Sequence, residues 1–213
     1  MSDTKATLRA LLDKAGTTYA EEAGIKLRDS PAPLYQLLVL STLLSTRIKA
    51  DIAVAAAHEL IKAGMSTPAK MRSASWQDRV DALGRAHYVR YDESTATALG
   101  NGAELMRERY RDDLRRLRDE AGGDPKRIRE ALTGFPRLGP VGAEIFCREA
   151  QAVWPSLRPA LDGKTRDGAK RVGLPADAKE LADLVSEKDL ATLAAALVRV
   201  SLDRKLADAV RPG

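Results

Sequence analysis

The chain has 213 residues, a formal net charge of +5 and an isoelectric point near 9.4. Hydrophobic residues make up 44% and charged residues 31%, the balance of a soluble globular protein with one core or two small lobes. The longest apolar run, near residues 37–44, is too short to span a bilayer, and no N-terminal export signal is recognisable. A single cysteine, Cys147, excludes an internal disulfide and a cysteine-rich metal cluster. We therefore expect a cytoplasmic protein without a membrane span.

Helix signals recur along the whole chain, whereas strand signals are almost absent. Residues 32–45 are apolar on nearly every face, which predicts a helix buried at the centre of a bundle. An alanine-rich helix follows, opened by Asp51 and closed by Gly64. More short helices are predicted on both sides of a connector near Pro155, one of them capped by Asp177. The predicted fold is all-α and contains about ten short helices.

The segment before Gly122 is rich in arginine, which raises the question of a phosphate-binding stripe. Acidic residues alternate with these arginines at a spacing of three and four, so opposite charges pair on the helix surface. We therefore interpret the segment as a salt-bridged face in water. The arginines concerned are Arg107, Arg109, Arg111, Arg115, Arg116 and Arg118.

The most informative stretch is GFPRLGPVGAEIFCREA, from Gly134 to Ala150. It follows a short helix capped by Asp124 and leads into a helix from about Val141 to Val153. A helix start presents unpaired N–H groups and a positive dipole end, and a glycine in front of it lets a phosphodiester come close. The stretch fits a hairpin that grips backbone phosphate regardless of base sequence. An ordinary helix–helix corner fits it equally well.

Residues downstream of the hairpin resemble the helix-hairpin-helix, Gly-Pro-Asp superfamily of DNA glycosylases, in particular its endonuclease III-like branch. In that family a Leu-Pro-Gly-Val-Gly hairpin begins a helix, and the catalytic aspartate follows after the helix and a short connector. Here FPRLG forms residues 135–139, and Asp162 lies nine residues before the Arg171 of RVGL. The segments LYQLLVLSTLLSTRIKAD and LGRAHYVRYDESTATAL resemble earlier helices of the family. The resemblance covers about residues 33–174.

This resemblance implies two all-helical lobes with the helix-hairpin-helix motif at the cleft between them. It implies that residues 31–151 form a helical barrel lobe and that residues 1–30 and 152–213 form the second lobe. The partner would be double-stranded DNA with one nucleotide flipped out, bound by a monomer in the cytoplasm at the nucleoid.

By the same resemblance, Asp162 is the catalytic residue of a DNA glycosylase of base excision repair, with which the chemistry agrees. Cleavage of an N-glycosidic bond builds positive charge on the sugar, and an ionised carboxylate stabilises that charge. The commonest role of an aspartate before Gly163 is helix capping, which stands beside the catalytic interpretation.

The sequence departs from the family pattern at three places. Arg137 replaces the first hairpin glycine, which disfavours a positive φ but adds a cation. Val141 occupies the position of the lysine of bifunctional members, so we expect a monofunctional enzyme unless Lys164 substitutes. The four C-terminal cysteines of the iron–sulfur cluster are missing, and no metal-ligand set is recognisable. A monovalent cation at the hairpin is the one cofactor that the resemblance still permits.

The remaining candidate residues follow from the hairpin and from the resemblance. The expected DNA contacts are Arg137, Leu138, Gly139, Val141, Gly142, Arg47 and Lys164. The candidates for a base pocket are His87, Tyr88 and Trp154, each of which also suits simple packing. A catalytically silent protein of the same fold that binds DNA or recognises damage is the alternative function. A helical protein-interaction module is a third, but it leaves the hairpin unexplained.

Overall fold

In the computed structural model, which describes residues 2–211, the chain is all-helical. The α-helices of this range are α1 (Ser2–Ala15), α2 (Tyr19–Glu22), α3 (Pro31–Leu44), α4 (Ala50–Lys62), α5 (Pro68–Ser73), α6 (Trp76–Arg85), α7 (Asp92–Tyr110), α8 (Arg115–Glu120), α9 (Pro125–Leu132), α10 (Pro140–Ala150), α11 (Gly163–Arg171), α12 (Ala178–Ala182), α13 (Leu190–Leu202) and α14 (Arg204–Val210). Two short 3₁₀ helices, Pro155–Leu157 and Glu187–Asp189, complete the set. Residues 2–211 contain no strand, so the predicted all-α fold is confirmed. None of these helices has both the length and the apolar character that a membrane span requires.

Side-chain caps begin several helices at the positions that the sequence indicates. The Asp124 carboxylate accepts the N–H of Arg127 over 2.8 Å at the start of α9. Asp177 caps α12 in the same way, and Ser75 forms a reciprocal capping box with Asp78 at the start of α6. These helix starts are determined locally because each cap bonds to a backbone group two or three residues away.

The chain divides into two compact units. The central unit is Ala20–Cys147, and the terminal unit combines residues 2–19 with residues 148–211. In the central unit α3 is buried along most of its length, as predicted, and it packs on α4. Helix α4 packs on α6, and α5 and α6 pack on α7. In the terminal unit α13 is the central helix, since α1, α11 and α14 all pack against it.

The contact between α11 and α13 depends on one glycine. A Cβ atom placed on Gly168 would lie 1.9 Å from the carbonyl oxygen of Leu197. Only a residue without a side chain lets the two backbones approach this closely. The rotation of α11 about its own axis is therefore fixed, which decides which of its side chains are exposed.

Half of the six arginines in the segment of α7 and α8 form salt bridges with acids of that segment, and of these pairs Arg107 with Glu104 has the predicted spacing of three. Three of its arginines lie within 3.0 Å of a nearby acid. The pairs are Arg107 with Glu104, Arg115 with Asp113, and Arg118 with Asp119. The charges of these arginines are thus balanced within the central unit.

Candidate active site

The loop between α9 and α10 is a tight turn held by its own backbone. The N–H of Leu138 donates to the carbonyl of Phe135 over 3.1 Å, with Pro136 and Arg137 at the two corners. Proline at the first corner and a φ of +61° at the second are the pattern of a type II turn. Phe135 and Leu138 are buried whereas Arg137 is exposed. The apolar residues therefore anchor the turn and leave its cation at the surface.

Arg137 adopts the left-handed conformation that we expected an arginine to disfavour. This backbone costs about 1 kcal/mol for a residue with a side chain. Contacts of the guanidinium offset the cost: Nη1 donates to the hydroxyl of Ser94 over 2.8 Å, and the group lies 5.6 Å from the ring centre of Tyr91. The turn geometry of a glycine position is thus kept, and a cation is held beside it.

Helix α10 begins with an exposed N-terminus that no side chain of residues 2–211 caps. Gly139 has no side chain, and its carbonyl accepts the N–H of Ala143 over 3.0 Å. Pro140 occupies the first helical position, and the N–H groups of Val141 and Gly142 have no acceptor within the helix. The Val141 side chain is 65% exposed. The positive end of the helix dipole is therefore open to solvent.

The two glycines at this helix start have different roles. A Cβ on Gly142 would lie 2.6 Å from Cδ1 of Leu138 and 3.2 Å from Cβ of Ser45, so packing requires glycine there. A Cβ on Gly139 would meet no atom within 4 Å. Space beside Gly139 is thus free for an incoming group.

Arg47 and Arg137, which lie 90 positions apart in the sequence, share one surface pocket of about 400 Å³. Its other lining residues are Ser45, Thr46 and Tyr91, so its described wall contains no acidic side chain. The ring of Tyr91 also has the guanidinium of Arg90 5.3 Å from its centre. The result is a basic pocket with an aromatic wall next to the hairpin turn.

The three candidates for a base pocket have structural contacts of their own. His87 lies just beyond α6 with a φ of +60°, and its N–H donates to the carbonyl of Gly84 over 2.9 Å. Because the N–H of Tyr88 donates to the carbonyl of Leu83, this helix end is a Schellman motif. Tyr88 in the central unit and Trp154 in the terminal unit are completely buried. A part for these residues in base recognition stays a prediction.

Asp162 both caps α11 and pairs with a buried arginine. Its Oδ1 accepts the N–H of Thr165 over 3.0 Å, and its Oδ2 accepts a hydrogen bond of 2.5 Å from Nη1 of Arg148. The side chains of Asp162 and Arg148 are only 12% and 9% exposed. Arg148 belongs to the last turn of α10, so Asp162 is bonded directly to the second helix of the hairpin motif. The capping role that the sequence allowed is therefore real, and a charge-assisted bond is added to it.

The connector between α10 and α11 is pinned by the side chain of Gln151, which is fully buried. Its amide oxygen accepts the N–H of Ala160, and its Nε2 donates to the carbonyls of Ala160 and Arg148. Arg158 donates from Nε to the carbonyl of Gln151 over 2.8 Å. The backbone of Ala160, two residues before Asp162, is thus held at the end of α10. Neither Arg148 nor Gln151 was predicted from the sequence, although charged and polar residues directly after the apolar residues Phe146 and Cys147 were a usable signal.

Asp162 differs from the other aspartates that cap helices. Those of α9, α12 and α14, namely Asp124, Asp177 and Asp203, are exposed, and within residues 2–211 none of them lies within 4.0 Å of a cationic side chain. Lys164, two residues after Asp162, is exposed as well. The same part of the chain contains no group of three or more His, Cys, Asp or Glu that could hold a metal ion.

Comparison with known proteins adds a likeness of fold. The sequence matches no protein-family model and none of the curated proteins. Among solved structures the chain is similar to a trapped endonuclease III–DNA covalent intermediate, an estranged-adenine complex. The TM-score is 0.49 and the sequence identity 16%, over 92% of this chain and 84% of that one. The function is accordingly inferred from the residues of the site.

Proposed function

We propose that the protein is a DNA glycosylase of base excision repair, which hydrolyses the N-glycosidic bond of a damaged or mismatched base flipped out of duplex DNA. The observation that carries the proposal is the low exposure of the Asp162 carboxylate, 12%, whereas the aspartates that cap α9, α12 and α14 are exposed. In the sequence this carboxylate follows the hairpin turn and α10, in the order that the family resemblance implies.

DNA binding would use groups that recognise phosphate and not base edges. The open end of α10 offers backbone N–H groups and a positive dipole end, and space beside Gly139 allows a close approach. Arg137 and Arg47 add two guanidinium groups around the neighbouring pocket. Such contacts bind duplexes of any sequence, and their strength falls as salt rises because bound counterions are released.

The reaction we propose is hydrolysis. The carboxylate of Asp162 stabilises the positive charge that develops on the sugar as the bond between C1′ and the base nitrogen breaks. The oxygen of a water molecule bonds to C1′, one water proton is transferred away through a base, and the departing nucleobase is protonated. The products are a free base and an intact abasic strand. Val141, at the family's lysine position, has no amine that could attack the sugar, which supports an enzyme without strand-cleaving activity.

A second candidate is a DNA-binding protein of the same architecture without catalysis. It is favoured by the engagement of both carboxylate oxygens of Asp162 in hydrogen bonds within the protein. The positive charge of Arg148 next to Asp162 also opposes the build-up of a second positive charge on a sugar. Hydrolysis therefore requires that the pair opens, or that a substrate phosphate balances Arg148.

The decisive experiment measures single-turnover base release from a panel of duplexes, together with duplex affinity. The panel contains uracil, thymine mismatches, oxidised pyrimidines, alkylated purines, hypoxanthine and abasic sites. The Asp162→Asn variant keeps an oxygen for the cap but loses the charge. We expect the rate to fall by at least about 10²-fold while duplex affinity is retained. The control is Asp177→Asn, an exposed cap of α12, which should change neither quantity.

The outcomes separate the two candidates. Duplex binding without product from any member of the panel, unchanged in Asp162→Asn, would establish the silent binder. A protein that binds no duplex would contradict both. Borohydride should trap no covalent adduct with DNA, and an adduct that disappears in Lys164→Ala would show that the enzyme is bifunctional.

A further inference from the structure

Helix α11 concentrates the positive charge of the chain. Its nine residues contain one acid, Asp167, against four cations, Lys164, Arg166, Lys170 and Arg171. The net charge of this helix is +3, more than half of the +5 of the whole protein. A local excess of this size creates a positive potential at one surface that the net charge alone does not reveal.

Packing directs most of this charge to one exposed side. Thr165, Gly168 and Ala169 are the buried residues of α11, which packs on α13 through the close approach at Gly168. The exposed part of the helix carries Lys164, Arg166 and Lys170, and the one acid, Asp167, lies among them. We call the three cations the α11 basic face.

The cations of the α11 basic face have no acidic partner within 4.0 Å among residues 2–211, unlike Arg107, Arg115 and Arg118 of α7 and α8. Arg171, the fourth cation of α11, is bonded within the protein, because it donates to backbone carbonyls at the end of α13. Arg166 and Lys170 stand four residues apart, a spacing at which like charges destabilise a helix. A bound polyanion would convert that repulsion into attraction.

We propose that the α11 basic face is a second DNA-binding surface, which holds backbone phosphates of the duplex regardless of base sequence. The inference rests on the proposed function and extends its DNA contacts to the terminal unit. Lys164 and Lys170 are six positions apart, which is about 9 Å along the helix axis. This matches a polyanion such as a duplex, with one charge per about 1.7 Å of its axis, better than a single small anion.

The surface lies on the helix that Asp162 caps, and the N–H of Arg166 donates to the carbonyl of Asp162 over 3.1 Å. A phosphate held by Arg166 or Lys170 is therefore held at a fixed place relative to the carboxylate. Fixing the substrate against the reacting group is how binding contacts contribute to a reaction rate. The α11 basic face would thus orient DNA toward Asp162 as well as add affinity.

The test measures duplex affinity of the full chain by fluorescence anisotropy over a range of salt concentrations. The variant Arg166→Glu/Lys170→Glu is compared with Lys179→Glu/Lys188→Glu, which changes two exposed lysines of the same unit and alters the net charge equally. Loss of two phosphate contacts should reduce the slope of log K against log salt by about 1.8 and weaken binding at least about tenfold relative to the control. The neutral variant Arg166→Gln/Lys170→Gln should reduce the salt slope equally. Because it adds no negative charge, its result cannot come from repulsion between glutamate and DNA.

The results distinguish this inference from the proposed function. If the wild type binds duplex DNA but the α11 variants and the control have equal salt slopes and equal affinities, the α11 basic face does not bind DNA. The proposed phosphate contacts at the hairpin are not affected by that result. If the wild type shows no duplex binding, both proposals are wrong. A reduced slope in both α11 variants but not in the control supports the surface.

Discussion

Helices α10 and α11 begin in opposite ways. At α11 the carboxylate of Asp162 accepts a backbone N–H and also bonds to Arg148, so this helix end is satisfied within the protein. At α10 the residue before the helix is Gly139, which has no side chain to offer. An uncapped, exposed helix end is completed by water or by an incoming anion. At α10 the N-terminus itself is therefore the candidate binding group, whereas at α11 the capping side chain is the candidate reactive group.

The largest expected effect follows from removing the partner of Asp162 at the capped start of α11. Arg148→Met leaves the carboxylate of Asp162 nearly buried without its cation, and should lower the free energy of unfolding by about 3 kcal/mol. Urea denaturation measures it. The control is Arg204→Met, since the pair of Arg204 with Asp208 is exposed and 3.9 Å long, and should cost less than about 0.5 kcal/mol. Equal losses in the two variants would mean that the pair of Arg148 and Asp162 contributes no more than a surface contact.

A double variant sharpens this result. Asp162→Asn removes the buried charge while keeping the capping oxygen, so Arg148→Met/Asp162→Asn should be about 1–2 kcal/mol more stable than Arg148→Met alone. The same urea experiment measures it. A double variant that is less stable than Arg148→Met would show that Asp162 stabilises α11 by its charge even without a partner.

The next largest effect concerns side-chain packing at the uncapped start of α10. Gly142→Ala forces a Cβ into Leu138 and Ser45 and should cost about 2 kcal/mol. Gly139→Ala places its Cβ in open space. Alanine is a weaker helix cap than glycine but also makes the unfolded chain less flexible, so the free energy of unfolding should change by less than about 0.5 kcal/mol. Thermal or urea unfolding compares the two. Similar stabilities would contradict the tight approach at Gly142.

Gly139→Ala should weaken DNA binding without destabilising the fold. A methyl group beside the open helix end blocks the approach of a phosphate, so duplex affinity should fall by about 0.5–1.4 kcal/mol, up to tenfold. Gly163→Ala adds a Cβ in equally free space at the capped start of α11 and should change affinity by less than about twofold. Anisotropy titrations measure both. Equal affinities of the two variants would remove the distinction between the open and the capped helix end.

The smallest expected effect is on stability at the hairpin corner. Arg137→Gly relieves about 1 kcal/mol of left-handed strain but loses the hydrogen bond to Ser94 and the contact with Tyr91, so unfolding should change by less than about 1 kcal/mol. Its salt slope for duplex binding should fall by about 0.9, as one phosphate contact is lost. The control is Arg111→Gly, also at a positive φ, which should stabilise the fold and leave the slope unchanged. Equal slopes in the two variants would show that Arg137 contacts no phosphate.

The helical class and several helix starts of this protein are predictable from its amino-acid sequence alone. Asp124 and Asp177 cap their helices as predicted, and α3 is buried as its apolar faces indicate. Arg107 of α7 pairs with Glu104, three residues away, as the charge pattern predicts. These features are predictable because caps, periodicity and charge pairs on one helix depend on residues within about one turn of each other.

The surroundings of the candidate site, in contrast, depend on contacts between residues far apart in the sequence. Arg148 meets Asp162 across 14 residues, Gln151 binds the backbone of Ala160, and Arg137 reaches Ser94 across 43 residues. The positive φ of Arg137 likewise follows from the turn and its contacts, against the preference of the residue. Such contacts have no periodic signal, because their energy depends on how packed helices bring distant side chains together and exclude water. That is why the family resemblance made Asp162 a candidate, whereas its bond to Arg148 was not predicted.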